Sequence, residues 1–380
     1  MAPAGPARET ADLGIGLYSL RPLAAHFTIT AAADMTVGPG VCRSARSALR
    51  KEETAMPDCV CLGELLIDFV AVESNRTLRE VPAFRRAPGG APANVACGVA
   101  RLGRTAGFVG KIGSEPFGDF LEQTLRQAHV DTSHLSRTDE ARTTLAFVGV
   151  HDDGRKEIFF YRNPGADMLL APDDIDEAYV AGAACFHFGS ISLIDPGPKE
   201  ATLKAARIAH DAGRLVSFDP NWRPALWDGE ERGHLEIRTA LPLADVVKVS
   251  QEEWEVVTGA DDLAKGAEEI LAAGPRLVVV SMGHKGCYYH HAEGAGTVPG
   301  FKVPVVECTG AGDAFVASIL VDLLDHLASG GSLEGLTPRA LERLCRRANA
   351  AGALACTKAG AIPAMPTRAE AEALASRAGG

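Results

Sequence analysis

A chain of 380 residues, 46% hydrophobic and 23% charged, can bury a sizeable core, and its length fits two ordinary domains or one large α/β domain. The formal net charge of -11 argues against a general nucleic-acid binder, yet leaves room for an anionic ligand held at helix N-termini. No apolar stretch reaches the roughly 18 residues of a membrane span, so the chain reads as soluble, with no membrane partner. The nine cysteines form no C-x-x-C pair, which favours buried free thiols in a reducing compartment over a zinc site.

Residues 1–55 are rich in Ala, Pro, Gly and Thr and lack sustained periodicity, with a small basic cluster at Arg43, Arg46, Arg50 and Lys51. Three readings fit: a transit-like segment, a disordered extension, or an upstream start with Met56 as the true first residue. The expected location is cytoplasmic, or the plastid stroma if this segment is a transit peptide. The folded domain is expected over residues 56–380.

From Pro57 the pattern becomes regular. Cys59–Gly63 followed by Leu65–Phe69 reads as one buried strand, with Asp68 at its C-terminal end, where ligands of open parallel sheets gather. Helical composition covers 91–102, an apolar run covers 105–112, and Phe117, Phe120, Leu121 and Leu125 space a helix over 115–128. Further strands are predicted at 184–188, 215–219, 246–249 and 277–281, with helices at 199–212, 251–258 and 264–273. This alternation implies βαβ units and a parallel sheet covered by helices on both faces. One region departs from it. Runs 143–150 and 156–162 flank His151-Asp-Asp-Gly-Arg155, a hairpin signal, and are expected to stand off the main sheet and pair with 69–72 and 79–85.

The strongest chemical signal is Cys308-Thr-Gly-Ala-Gly-Asp-Ala-Phe315, which runs into an amphipathic helix. Unpaired N–H groups and the positive dipole end at Gly310–Gly312 make a seat for an anion. Asp313 in the first turn is either a helix-capping carboxylate or a base beside that seat, the arrangement phosphoryl transfer requires. A second signal is Pro88-Gly-Gly-Ala-Pro-Ala-Asn94. Gly89 and Gly90 permit close backbone approach to a ligand, and Asn94 is a mediocre helix former placed in a helix. Neither a P-loop nor a dinucleotide fingerprint occurs. His290-His291 reads as surface, not as a metal site, and Trp222, Trp227 and Trp254 lack the basic surroundings of a nucleic-acid stacking platform.

Gly63-Glu-Leu-Leu-Ile-Asp68, Gly89-Gly-Ala-Pro-Ala-Asn94 and Thr309-Gly-Ala-Gly-Asp313 resemble the signature regions of the ribokinase-like (PfkB) carbohydrate kinases. Tyr161–Asp167, Phe186–Leu193, Asp219–Pro224 and Gly360–Pro366 extend the resemblance, toward the fructokinase branch in particular. It covers about 57–367. The resemblance implies a three-layer α/β/α sandwich with a mostly parallel central sheet and a small β-sheet lid. It implies that Asp313 is the general base for a sugar primary hydroxyl, with Gly310, Ala311 and Gly312 as anion hole. Asp68, Gly89, Gly90 and Asn94 would face the sugar, with Arg162 reaching in from the lid. Arg223 would lie near the phosphates of ATP, Ser281, Gly283, Lys285 and Gly286 would form the nucleotide loop, and Asn349 with Gly352 the far wall. Glu253, where Ser250 replaces the usual Asn of N-x-x-E, would organise Mg²⁺ through water. Glu307 stands where the family usually has Asp, which puts K⁺ activation in doubt. The implied reaction is ATP-dependent phosphorylation of D-fructose to fructose 6-phosphate. 2-Keto-3-deoxygluconate or another sugar is the rival substrate, and an inactive kinase-like partner protein is the rival class. The lid would either cover its own site or pair across a homodimer.

Overall fold

The computed structural model describes residues 56–151 and 156–377. The readings of residues 1–55, and of the Asp-Gly turn within 152–155, lie outside the described residues.

The run read as one strand is two. β1 (Cys59–Leu62) is wholly buried in the central sheet, and β2 (Leu66–Ala71) belongs to a separate one. The break falls at Gly63, whose φ of +156° and closeness to Pro92, 2.6 Å from where a Cβ would stand, leave no room for a side chain. Asp68 therefore lies within a lid strand and not at the end of a central one. β3 (Phe84–Gly89) pairs antiparallel with β2 and leads into helix α1 (Ala91–Arg101). β4 (Ala106–Gly113), α2 (Pro116–Gln127), β5 (Val130–Asp131) and β6 (Leu135–Thr138) follow.

β7 (Leu145–Val150) and β8 (Lys156–Tyr161) form the predicted antiparallel pair, and β7 joins β2 in parallel. The lid is thus a four-stranded sheet in the order β3-β2-β7-β8.

The remaining strands alternate with helices. α3 (Glu177–Gly182), β9 (Cys185–Gly189), α4 (Pro196–Asp211), β10 (Leu215–Asp219), α5 (Glu230–Ala240), β11 (Val246–Ser250), α6 (Trp254–Thr258), α7 (Leu263–Ala272) and β12 (Leu277–Ser281) come in turn. A meander of β13 (Gly286–His291) and β14 (Gly294–Pro299) then gives way to α8 (Ala311–Ala328), α9 (Pro338–Ala355), α10 (Ala361–Ala364) and α11 (Arg368–Ala375). The central sheet runs β14-β13-β12-β11-β10-β9-β1-β4-β5, with β6 also on β4. Its pairings are parallel except those of β13, which is antiparallel to both neighbours.

Alternating side chains of these strands feed two cores. Cys59, Cys61 and Val279 pack with α1, α8 and α9, while Val60, Leu62, Val247 and Val280 pack with α4, α5 and α7. The sheet is buried on both faces, which is why its strands read as unbroken apolar runs. No helix among the described residues is long and apolar enough to cross a membrane. His291, expected at the surface, is instead 3% exposed on β13, because that strand is covered by α9, and its Nδ1 accepts from the Glu293 N–H.

Candidate active site

A cavity of about 540 Å³ opens between the inner face of the lid and the loops of the central sheet, a size suited to a small molecule. Leu66, Asp68 and Val70 of β2, with Ala146 and Val148 of β7, form its roof by strict alternation along the pleat. Asp68 is the one carboxylate that these lid strands present to it. Gly90 lines the cavity while Gly89 does not; Gly89 is held by close approach of the Asp68 carboxylate and Leu66. Gly90, at φ +110°, is the N-cap of α1 and lies too close to the Glu64 carbonyl for any side chain.

The floor is the first turn of α8. Gly310 is its N-cap in the left-handed conformation (φ +82°), and a Cβ there would stand 2.7 Å from that of Ala361. Asp313 is the third residue of the helix. It does not cap: its Oδ2 accepts from Asn94 Nδ2 at 2.8 Å, from the first turn of α1. The Ala311 N–H donates to the Cys308 carbonyl at 3.3 Å, so of the expected anion seat the Gly312 turn, with its dipole, is the better placed part. Asp313 is 9% exposed, and burial raises its pKa above the ordinary range. Asn94, Lys248 and Arg223 work against that rise, and Glu253 adds to it.

Two buried charged groups that line the cavity are not singled out by the sequence patterns. Lys248 lines the cavity from β11; its Nζ is 3.1 Å from Asp219 Oδ2 and 3.3 Å from where a Gly312 Cβ would be. The ammonium therefore lies against the N-terminal turn that carries Asp313. Burial would lower the Lys248 pKa, but Asp219, Glu253 and Asp313 outweigh it, so the net shift is upward. Burial likewise pushes Asp219 up to about 6, against the pull of Lys248. A lysine inside the otherwise apolar Val246–Val249 was a readable signal, since lysine is almost never fully buried unpaired. Glu64 is the second. It is 4% exposed, lines the cavity and accepts from the Ala91 N–H at 2.9 Å, capping α1 through space. Burial raises its pKa to about 7.

Glu253 is the N-cap of α6. It is 8% exposed; one oxygen accepts from the Trp222 N–H, the other from Ser250 N–H at 3.0 Å and Ser250 Oγ at 2.9 Å. It clamps the Asn221–Arg223 loop, and does not itself line the cavity, whereas Arg223 does. No group of three His, Cys, Asp or Glu side chains among the described residues is arranged to hold a metal ion. A divalent ion would therefore have to bring most of its ligands with it, as one bound to nucleotide phosphates does.

Arg162, expected to reach in from the lid, is held by two carboxylates. It lies just past β8, 7% exposed, with Nε on Asp167 at 2.8 Å and Nη1 on Asp195 at 2.9 Å, and is not among the cavity-lining residues. Two carboxylates outside the cavity hold it there.

The residues expected on the nucleotide side gather elsewhere, around the β12–β13 turn. Ser281 ends β12, Gly283 and Lys285 form a single tight turn, and Gly286 (φ +107°) abuts the Val298 carbonyl. Asn349 Nδ2 donates to that same carbonyl at 3.0 Å and to the Pro299 carbonyl at 3.2 Å. A Cβ on Gly352 would stand 3.1 Å from the Ala311 carbonyl, so α9 closes directly on the start of α8. None of these residues lines the cavity under the lid, but Gly352 stands against Ala311 in the helix turn that carries Asp313.

A buried carboxylate at a helix N-terminus, flanked by Lys248 and Arg223 beneath a lid, is the equipment of a small-molecule phosphotransferase. Residues 56–368 match the pfkB family carbohydrate kinases, and the chain belongs to that family. It is 46% identical over 311 residues to the probable fructokinase-7 of Arabidopsis thaliana, covering 81% of this chain and 89% of that one. Among solved structures, the fructokinase of Xylella fastidiosa with bound ATP is 37% identical with a TM-score of 0.76, covering 84% of this chain and 98% of that one. A fructokinase double mutant of Vibrio cholerae O395, in a form binding fructose, ADP and potassium ion, is 31% identical with a TM-score of 0.73, covering 85% and 99%.

Proposed function

We propose that this chain is an ATP-dependent fructokinase that converts D-fructose to fructose 6-phosphate with Asp313 as general base. The observation that carries the proposal is the cavity itself. It sets Asp313, buried and tied to Asn94, opposite Asp68 on the lid and beside Lys248 and Arg223. Asp68, the Gly90 backbone and Asn94 hold sugar hydroxyls, so that the primary hydroxyl meets Asp313. The carboxylate takes the hydroxyl proton; the sugar oxygen bonds to the γ-phosphorus as its bond to the leaving ADP oxygen breaks. Lys248, Arg223 and the Gly310–Gly312 turn carry the charge that migrates. ATP would lie with its base toward Gly283–Gly286, Asn349 and Gly352, and Mg²⁺ would come as Mg·ATP to neutralise phosphate charge, with Glu253 acting on it through water and through the Asn221–Arg223 loop. Glu307 is engaged by Arg85 of β3 at 3.3 Å and by the Gly360 N–H at 3.0 Å, partners that would compete with a K⁺ ion for it.

The kinase domain is assigned to residues 56–380, preceded by the segment 1–55. The protein acts in the cytoplasm, or in the plastid stroma if that extension is a cleaved address. Val72, Phe159 and Tyr161 are each more than half exposed on the lid, a suitable surface for a homodimer joined there. ADP release measured with fructose, ribose, 2-keto-3-deoxygluconate and adenosine tests the substrate. Fructose should give the highest kcat/KM. A preference for ketodeoxygluconate would move the assignment to that kinase class, and ATP binding without transfer to any sugar would make the chain an inactive partner protein.

A further inference from the structure

We infer that Asn94 is a positioning residue for the base: its amide nitrogen holds Asp313, and its oxygen is thereby turned to accept a hydroxyl of the sugar. The inference rests on the proposed role of Asp313 and adds to Asn94 a function beyond sugar contact. Three observations carry it. Asn94 Nδ2 donates to Asp313 Oδ2 at 2.8 Å across the junction of α1 and α8, two helices packed directly together. Asn94 is 5% exposed, and its Oδ1 is buried without a partner among the described residues, although it lines the cavity. An amide oxygen left so carries a desolvation penalty that a donating ligand hydroxyl would remove.

With one end of the amide committed to the base, the other end has a fixed direction. A hydroxyl that donates to Oδ1 is therefore placed relative to Oδ2 of Asp313 by a single planar group with no rotatable bond between its two polar atoms. Asn94 can take this role because Gly90, with no side chain, starts α1 where Glu64 caps it, and this puts residue 94 one turn into the helix and facing α8. The hydrogen bond also favours the charged carboxylate. The other charged groups acting on Asp313 are Lys248 and Arg223, which favour its ionised form, and Glu253 and Asp219, which oppose it.

The test is the pH dependence of kcat in Asn94→Ala and Asn94→Leu, read on whichever sugar the wild type phosphorylates. Alanine suits the helix and leucine refills the volume, so both folding and packing are controlled. The expected result in both is an acid limb moved to higher pH by about one unit, so that activity below the limb falls about tenfold more than activity above it. Thermal unfolding identifies any variant that is not folded, and the other then decides. If both folded variants raise the KM for the sugar while the acid limb stays where the wild type has it, Asn94 is a sugar contact only and the inference is overturned. Failure of the wild type on fructose would overturn the substrate assignment instead, since the limb is read equally well on another sugar.

Discussion

Exchanging Lys248 for methionine keeps the length and bulk of the side chain and removes one buried charge. In the wild type that ammonium, 9% exposed, pairs with Asp219, 5% exposed, at 3.1 Å, and it also faces Glu253 and Asp313. Removing one partner of a buried pair strands the other, at a cost of about 3–5 kcal/mol. The loss should depend on pH. Burial raises the Asp219 pKa from 3.8 to about 6 in the folded protein. A carboxyl whose folded pKa lies above its unfolded value favours folding fully below the unfolded value and loses that contribution as pH climbs through the folded one. For the wild type this window runs from 3.8 to about 6. Without Lys248, which pulls Asp219 down, the upper edge moves higher and the deficit keeps growing through neutrality. Urea unfolding at about pH 5.5 and about pH 8 measures it: the variant should lose more stability at the higher pH. Its kcat should fall as well, with the acid limb raised, because Lys248 also favours the ionised form of Asp313. A loss below about 1 kcal/mol that is equal at both pH values would mean that the pair behaves as an exposed one, and the reasoning would fail.

Gly310→Ala forces a left-handed residue with a Cβ against Ala361, a backbone cost of about 1–2 kcal/mol before the contact is counted. It should lower kcat about a hundredfold, the scale of one lost oxyanion donor, with a smaller change in fructose KM; steady-state kinetics and thermal unfolding read both. Exchanging Na⁺ for K⁺ at constant ionic strength should change the wild-type kcat less than about twofold, since Arg85 and the Gly360 N–H already engage Glu307. A large stimulation by K⁺ would show that the pair opens to admit the ion.

Much of this site was legible because its chemistry is local in sequence. The glycines around Gly310 and the first-turn position of Asp313 suggest an anion seat without tertiary information, and the central strands show as apolar runs because both faces are covered. What could not be read depends on contacts between distant segments. Nothing local shows what Asp313 is bonded to; the Asn94 hydrogen bond, from 219 residues away in sequence, ties it to α1. The break at Gly63 was hidden because the strands on either side are equally apolar, so Asp68 seemed to end a central strand when it belongs to the lid. Arg162 was assigned to the sugar by motif, and its ion pairs with Asp167 and Asp195 could not be read from that motif. Lys248 and Glu64 went unassigned although each is a charged residue in an apolar run. Their partners, Asp219 and the Ala91 N–H, come from other elements.

The central claim is that Asp313 removes the proton from the sugar hydroxyl. Asp313→Asn keeps the shape and the contact with Asn94 while abolishing the base. Its kcat for fructose phosphorylation, measured beside the fructose dissociation constant, should fall by at least about a hundredfold with sugar affinity changed only a few-fold. Turnover near that of the wild type would contradict the account.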